Sequence, residues 1–263
     1  MLSPSPRRTV MVSGASRGIG QAIAIRLLAE GHNLSLGLRR PMSAADWLRH
    51  AREQSDGPEL TLAEDAVERL LIHPYDARCS DQGDGGGDEG AEGPAAWVAA
   101  TVQRWGGVGA LVHCAGVFSR VGLCYDDADE EQIATLLNVN LMGPWRLSRA
   151  AWPWLERDGD GRVLTLVSMS GKRVKGRLAA YATSKFALMA LCQAMRNEGW
   201  EQGIRVTAIC PSWVNTAMAA AVTAVPKQAM TQPEDLASTA AHLLELPGRA
   251  VPFEVCLNCQ LET

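Results

Sequence analysis

Several features that would place a protein in a common functional class are missing from this 263-residue sequence. No apolar run approaches the ~18 residues of a membrane-spanning helix, and no apolar stretch like that of a secretory signal follows the first basic residues. The net charge of −4 lacks the basic excess typical of proteins that bind nucleic acids or membrane surfaces. We therefore predict a cytoplasmic protein without a nucleic-acid or membrane partner.

The sequence also lacks a paired framework of cysteines. The seven cysteines are odd in number and scattered, which favours reduced thiols over structural disulfides. Cys256 and Cys259 have a spacing that could bind a metal or cycle between redox states, but no second pair accompanies them. We therefore predict no metal site.

Internal repeats and a domain boundary are absent as well. Apolar β-type runs alternate with helix-like stretches along the chain, which is typical of right-handed βαβ units. The predicted strands are 9–13, 33–38, 69–73, 109–113, 162–167, 204–209 and 252–257. The predicted helices are about 18–31, 43–54, 94–105, 129–156, 180–202 and 233–246. Residues 1–263 are therefore predicted to form one α/β domain, a Rossmann-type doubly wound parallel sheet of about seven strands with helices on both faces.

Three smaller features refine this architecture. Residues 80–94 are rich in glycine and acidic residues and predict a flexible surface loop, and residues 54–65 predict a second insertion. Thr231, followed three residues later by Glu234, predicts a capping box that opens the last long helix.

A glycine motif stands between the first predicted strand and the first predicted helix. Glycines at such a junction allow a tight turn and a close approach to a pyrophosphate, while the helix N-terminus offers free N–H groups. The motif predicts a dinucleotide-binding loop made of Gly14, Ser16, Arg17, Gly18, Ile19 and Gly20.

A tyrosine and a lysine four residues apart predict a proton-transfer site. On a helix, Tyr181 and Lys185 lie on one face, one turn apart. A cation beside the phenol favours the phenolate and lowers the tyrosine pKa, which would allow Tyr181 to exchange a proton near neutral pH. Ser168 precedes the tyrosine by thirteen residues.

These motifs, in this order, resemble those of the short-chain dehydrogenase/reductase family over nearly the whole chain. The resemblance implies hydride transfer between a nicotinamide and a carbonyl or alcohol carbon. Tyr181 would be the acid or base, Lys185 would lower its pKa and bind the nicotinamide ribose, and Ser168 would bind the substrate oxygen. Asn140 would hold a water that links the lysine to solvent. By the same resemblance, further contacts to the cofactor come from Asp76, Ala77, Ala115, Gly116, Pro211, Val214 and Thr216.

The chain departs from the family pattern at several positions. The usual Asn-Asn-Ala-Gly reads His113-Cys114-Ala115-Gly116. The amide side chains that usually brace the central sheet are therefore missing at this position. The usual Pro-Gly reads Pro211-Ser212. The C-terminal segment lacks the Asp-Gly-Gly of 3-oxoacyl carrier-protein reductases, which argues against that particular activity.

Two arginines follow the second predicted strand, where cofactor specificity is usually set. Arg39 and Arg40 stand where an acidic residue would bind the ribose diol of NAD, and Arg17 lies in the glycine loop. An arginine can form a forked contact with a 2′-phosphate, so we predict NADP(H) rather than NAD(H). The alternatives are an NAD-dependent alcohol dehydrogenase and a non-catalytic nucleotide-binding sensor.

The sequence says less about the substrate and the oligomeric state, and alternatives stay open for both. Residues 213–230 predict either an apolar lid or an ordinary alanine-rich helix, and the basic residues between 172 and 177 either steer an anion or are solvated. Trp145, Trp152 and Trp154 fit either an oligomer interface or the core. We expect a small carbonyl or alcohol substrate and a homodimer or homotetramer.

Overall fold

The computed structural model describes residues 7–54, 60–81 and 92–260. Seven parallel strands form one sheet in the order β3-β2-β1-β4-β5-β6-β7, which confirms the predicted fold class. The strands are β1 Thr9–Ser13, β2 Asn33–Leu38, β3 Leu70–Pro74, β4 Ala110–His113, β5 Arg162–Leu166, β6 Arg205–Pro211 and β7 Glu254–Leu257. Each predicted strand is present, with its ends within three residues of the expected positions.

Helices cover both faces of this sheet. They are α1 Gly18–Ala29, α2 Ala44–Glu53, α3 Pro94–Trp105, α4 Glu130–Leu137, α5 Gly143–Arg157, α6 Ala179–Gly199 and α7 Pro233–Glu245. Residues of α1, α2 and α7 pack into one apolar cluster with the sheet, and residues of α3, α5 and α6 pack into another. The central strands are apolar on both sides because each face lies against a helical layer.

One tryptophan from each layer is buried completely. Trp47 of α2 lies in the first cluster and Trp97 of α3 in the second, both with no exposed surface. Gly37 of β2 lies under the Trp97 ring, where an added Cβ would come within 2.6 Å of the ring. The absence of a side chain at Gly37 therefore allows the indole to approach the strand closely.

The helix predicted over 129–156 is not continuous, so that prediction was wrong in detail. A π-helical turn, Asn138–Met142, separates α4 from α5. The amide of Gly143 donates to the carbonyl of Asn138, and Pro144 in the first turn of α5 has no N–H to continue the α-helical pattern. The wide turn carries Asn140 inward, where it is fully buried.

The capping box of α7 is displaced by one residue from its predicted position. Gln232, not Thr231, is the N-cap residue, and Asp235, not Glu234, completes the box. Pro233 occupies the first helical position, and its fixed φ places the helix start one residue later than expected.

Residues 82–91 of the predicted loop at 80–94 and residues 55–59 of the predicted insertion at 54–65 lie outside the described residues. At the described ends of the loop, the carboxylate of Asp81 accepts a hydrogen bond from the amide of Ala95 at 2.9 Å, and Pro94 opens α3. Within the described parts of the chain, no helix combines the length and apolar character that a bilayer crossing needs.

Candidate active site

The predicted site residues meet at one edge of the sheet. Strand order reverses between β1 and β4, and in such sheets a crevice for a ligand opens beyond the carboxyl ends of the strands at that point. The glycine loop follows β1, the Ala115-Gly116 turn follows β4, and Ser168 follows β5. The π-helical turn and α6 supply the remaining catalytic candidates.

The glycine loop approaches its neighbours so closely that side chains do not fit. Gly14 has a φ of +70°, and an added Cβ would lie 2.6 Å from the amide nitrogen of Ala115. A Cβ on Gly20 would collide with the Gly14 carbonyl, and one on Gly18, whose φ is +58°, would lie 3.3 Å from Thr216. Loops after β1, β4 and β6 therefore form one cradle, which fits a dinucleotide pyrophosphate above the start of α1.

Sequence reasoning missed a side chain that braces this loop. The indole N–H of Trp47 donates to the carbonyl of Ala15 at 3.0 Å. The side chain of Gln21 also donates to the Ser16 carbonyl, at 3.3 Å. The only signal in the sequence was an aromatic residue on the apolar face of α2. Such a residue indicates a buried side chain and does not indicate a hydrogen bond to the glycine loop.

The three arginines expected to select the cofactor are exposed. Arg17 is the N-cap residue of α1, and Arg39 and Arg40 directly follow β2. None of them forms an ion pair with another described residue. Their charges are therefore available to an anionic ligand at the ends of β1 and β2.

Asp76 and Ala77 follow β3. The Asp76 carboxylate is buried and receives hydrogen bonds from the guanidinium of Arg78, the shortest at 2.7 Å, and from the Arg78 amide at 2.9 Å. Ala77 lies against the start of α5, where a Cβ on Gly143 would come within 2.8 Å of the Ala77 Cβ. Asp76 is thus held in place by its own loop.

Asn140 joins three parts of the site. Its Oδ1 accepts from the amide of Val117 at 2.9 Å, and its Nδ2 donates to the Val117 carbonyl at 3.0 Å. The same Nδ2 donates to the hydroxyl of Ser184 at 3.0 Å, and that hydroxyl donates to the Tyr181 carbonyl at 2.7 Å. The π-helical turn is therefore tied to the loop after β4 and to the first turns of α6.

Ser168, after β5, and Tyr181, at the start of α6, lie close together in the site. Burial raises the pKa of Tyr181, and the nearby Ser168 side chain opposes this rise. Phe118 packs edge-on against the tyrosine ring, with ring centroids 4.9 Å apart. Ser168 has a φ of +152°, and the other described residues with positive φ are all glycines, so its backbone is strained.

Lys185 lies one turn beyond Tyr181 on α6, and its ammonium binds a backbone carbonyl. Its Nζ donates to the Leu166 carbonyl at 2.9 Å and lies 5.9 Å from the centroid of the Tyr181 ring. Burial lowers the pKa of Lys185 to about 8. Burial sets the direction of the Tyr181 pKa shift in this structure, and the lowering of that pKa by Lys185 stays a prediction.

His113 replaces an asparagine of the family pattern and supplies a brace of its own. Its Nε2 forms a 2.9 Å hydrogen bond with the hydroxyl of Ser148 on α5. Burial lowers the pKa of His113 to about 4, so the ring is neutral at physiological pH. The next residue, Cys114, lies beside the glycine loop, and burial raises its pKa to about 12.

The segment after β6 is apolar but not a long helix. Pro211 ends the strand, Val214 pairs with Thr231 in an isolated bridge, and two short 3₁₀ turns follow. Ala219, Val225 and Met230 form a small apolar cluster. The alanine-rich helix considered for residues 213–230 is therefore not formed.

The basic residues of the loop after β5 do not form a free cationic patch. Lys172 forms an ion pair with Glu254 of β7. The side chain of Arg177 lies against Gly122, where an added Cβ would be 3.3 Å from its Nε. The Lys172 charge is therefore neutralised by Glu254 and is not available to steer an anionic substrate.

Known proteins resemble the chain in sequence over most of its length. A family model described as short chain dehydrogenase matches residues 91–227. Agropine synthesis reductase of Rhizobium rhizogenes is 33% identical over 254 residues, which cover 97% of this chain and 53% of that protein. Oxidoreductase UcpA of Escherichia coli O157:H7 is 30% identical over 254 residues, which cover 94% of this chain and 84% of UcpA.

A solved structure shows the same fold. The alcohol dehydrogenase of the archaeon Thermococcus sibiricus, complexed with 5-hydroxy-NADP, aligns with a TM-score of 0.72 at 25% identity. The alignment covers 95% of this chain and 96% of that chain. The chain spans about half the length of the agropine synthesis reductases that it matches.

Proposed function

This chain belongs to the short-chain dehydrogenase/reductase family, and we propose that it is an NADPH-dependent reductase that converts a carbonyl to an alcohol. The observation that carries the proposal is the placement of Ser168 beside Tyr181, with Lys185 buried one turn further along α6. The proposal concerns the single domain that we expect residues 1–263 to form.

Each side chain has a distinct role. A bound nicotinamide would supply the hydride, and Tyr181 would give its proton to the substrate oxygen. Ser168 would donate a hydrogen bond to that oxygen as negative charge develops on it. The raised pKa of Tyr181 keeps the phenol protonated at neutral pH, which is the form that reduction needs.

Lys185 and Asn140 would position the reacting groups. Lys185 lies beside both the Gly116 turn and the Leu166 carbonyl, where its ammonium can reach a ribose hydroxyl. Asn140 holds the Val117 backbone and the start of α6 in one hydrogen-bonded unit. A buried lysine lowers stability. A protein that only senses a nucleotide has no need of one, which argues against the sensor alternative.

The cofactor we propose is NADP(H). The glycine cradle leaves room for a pyrophosphate, and Asp76, Ala77, Pro211 and Val214 lie at the ends of the neighbouring strands. Arg17, Arg39 and Arg40 place exposed positive charge at the ends of β1 and β2. The archaeal alcohol dehydrogenase that shares this fold is complexed with an NADP derivative.

The substrate we propose is a small carbonyl compound with an apolar body. Loops after β4, β5 and β6 expose large apolar side chains at the site edge of the sheet, namely Leu123, Val174, Trp213 and Met218. Exposed apolar side chains on separate loops are typical of the lining of a binding site.

We also propose that the protein is cytoplasmic and assembles as a homodimer or homotetramer. No disulfide joins any of the seven cysteines, all of which lie in the described part of the chain, and this suits a reducing compartment. Trp145 on α5 is half exposed, whereas Trp152 and Trp154 pack partly against the core. The exposed face of α5 is therefore the proposed interface. Light scattering of Trp145→Ala, compared with the unaltered protein, tests it.

The test of function is oxidation of NADPH followed at 340 nm over ketones, aldehydes, diketones and acyl thioesters, with NADH in parallel. We expect turnover with NADPH that falls at least about 10²-fold in Tyr181→Phe. Tyr75→Phe is the matched control, because Tyr75 is a buried tyrosine that packs against Trp97 in the core. NADPH binding without turnover on any carbonyl, or equal loss in both variants, would contradict the proposal.

A further inference from the structure

The edge of the sheet opposite β3 holds a cluster of sulfur and oxygen ligands. The thiols of Cys210 and Cys256 and the carboxylate of Glu254 each offer one atom, and these three atoms all lie within 4.8 Å of one another. Cys210 is on β6, and the other two residues are on β7. The sequence gives no sign of this cluster, since 44 residues separate the first member from the second.

The register of two parallel strands brings the ligands together. Cys210 and Cys256 are direct neighbours across β6 and β7. Side chains two residues apart on a strand point to the same face, so Glu254 joins Cys256 on that face. The thiol of Cys256 donates to the Glu254 carboxylate at 3.0 Å. By contrast, Cys259 contacts Ser212, so the Cys-x-x-Cys spacing does not produce a pair.

The cluster is open on one side and sealed on the other. Cys256 is exposed, whereas Cys210 is completely buried beneath it. An ion can therefore reach the outer thiol from solvent and bind the inner thiol from the same side. Lys172 forms an ion pair with Glu254. A bound ion would either displace the Lys172 ammonium from this carboxylate or share the carboxylate with it.

We propose that Cys210, Cys256 and Glu254 bind a thiophilic divalent cation, with Zn²⁺ as the model ion. Cysteine thiolates and carboxylate oxygens both bind zinc in proteins, and a water can complete a tetrahedron around three protein ligands. With Zn–S bonds of about 2.3 Å, tetrahedral geometry places two sulfurs about 3.8 Å apart. The two sulfurs lie at most 4.8 Å apart, which exceeds that separation by no more than about 1 Å.

The cluster lies next to the catalytic region. The amide of Val167, which precedes Ser168, donates to the carbonyl of Ile209, which precedes Cys210, at 2.8 Å. The Ser168 backbone therefore lies beside the Cys210 thiol and influences its pKa. Ser168 has a strained backbone and lies beside Tyr181. An ion that draws the Cys210 sulfur outward would shift the Ser168 backbone. Occupancy of the site is therefore expected to lower turnover.

The first experiment measures binding without any activity. The reduced full chain, free of oxygen and of cofactor, is titrated with Co²⁺ and then with Zn²⁺ as competitor. We expect the visible absorption of tetrahedral Co²⁺ together with a thiolate charge-transfer band, one equivalent bound, and displacement by Zn²⁺. Cys256→Ser and Glu254→Gln should weaken binding at least tenfold. Cys259→Ser is the matched control and should bind as the unaltered protein does.

The second experiment tests the link to the site. If the proposed reductase activity is found, Zn²⁺ should inhibit the unaltered protein at the concentrations at which it displaces Co²⁺, and Cys256→Ser should resist it. Co²⁺ spectra without thiolate bands, or identical binding by Cys256→Ser and Cys259→Ser, would overturn the proposal. Because the binding arm needs no substrate, its failure is distinct from a failure of the proposed function.

Discussion

The two halves of the site edge differ in where their polar groups lie. At the ends of β1 and β2, the binding groups are backbone N–H groups and the exposed cations of Arg17, Arg39 and Arg40. At the ends of β4 and β5, two of the proposed catalytic side chains are buried. Lys185 retains only 5% exposure, and Asn140 has none. The first half is expected to attract an anion from solvent, and the second to act on a group already bound.

Substitutions in the two halves should therefore affect function and stability differently. Exposed charges act through a solvent that screens them, so removing one changes binding but hardly changes stability. Buried polar groups have lost their hydration, so removing one changes both. Four substitutions can break or sharpen the comparison.

The largest effect is expected from Lys185→Met. Turnover should fall by about 10²-fold or more because the ammonium no longer positions the reacting groups. Unfolding free energy at pH 7 should rise by about 1–3 kcal/mol because a desolvated charge, with a pKa lowered to about 8, is replaced by an apolar side chain. Urea unfolding and NADPH oxidation measure the two effects on the same preparation.

The pH dependence of this gain follows from linkage. The Lys185 pKa in the folded chain lies below its ordinary value of 10.5, so the unfolded chain binds more protons between about pH 8 and 10.5. The unaltered protein should therefore gain stability as pH rises through this window, and the advantage of the variant should shrink. Lys227→Met, at an exposed lysine, is the control. A stability loss in Lys185→Met at pH 7 would show that the Leu166 hydrogen bond outweighs desolvation.

Gly14→Ala should have the next largest effect. A Cβ there meets the Ala115 backbone at 2.6 Å and requires a φ of +70°, so we expect a loss of about 2–4 kcal/mol in unfolding free energy. Cofactor binding, measured by fluorescence or calorimetry, should weaken at least tenfold. Gly31→Ala separates the two causes, since Gly31 has a φ of +94° and open space around it. It should lose only about 1 kcal/mol.

The fold and most site positions could be predicted because their signals are local in the sequence. Apolar runs and glycine spacing report on strands and on the first turn, and Ser168, Tyr181 and Lys185 do lie together. The direction of the Lys185 side chain could not be predicted, because it depends on a carbonyl of β5 that is distant in sequence. The same limit applies to Trp47 beneath the glycine loop and to the pairing of Cys210 with Cys256. The π-helical turn could not be predicted either, because the apolar spacing continues across Pro144 as in an unbroken helix.

His113→Asn should remove part of the acid sensitivity of the protein. The His113 pKa is lowered from 6.5 to about 4 in the folded chain, so the unfolded chain binds more protons between these values. Stability is therefore lost as pH falls through this window, by about 2–3 kcal/mol from this residue. Denaturant unfolding at pH 7 and pH 4.5 should show a smaller difference in the variant. His242→Asn, at an exposed histidine, should behave as the unaltered protein does.

The smallest effect is expected from Arg39→Ala, and it is the cleanest test of the exposed half. KM for NADPH should rise about tenfold, equivalent to about 1.4 kcal/mol, because one charge that faces a 2′-phosphate is lost. KM for NADH and the unfolding free energy should stay unchanged, and the NADPH effect should shrink as salt increases. Arg49→Ala removes the same charge from the exposed face of α2 and is the control. A parallel rise of KM for NADPH and NADH would mean that Arg39 holds the shared part of the cofactor, and the specificity would then rest on Arg17 and Arg40.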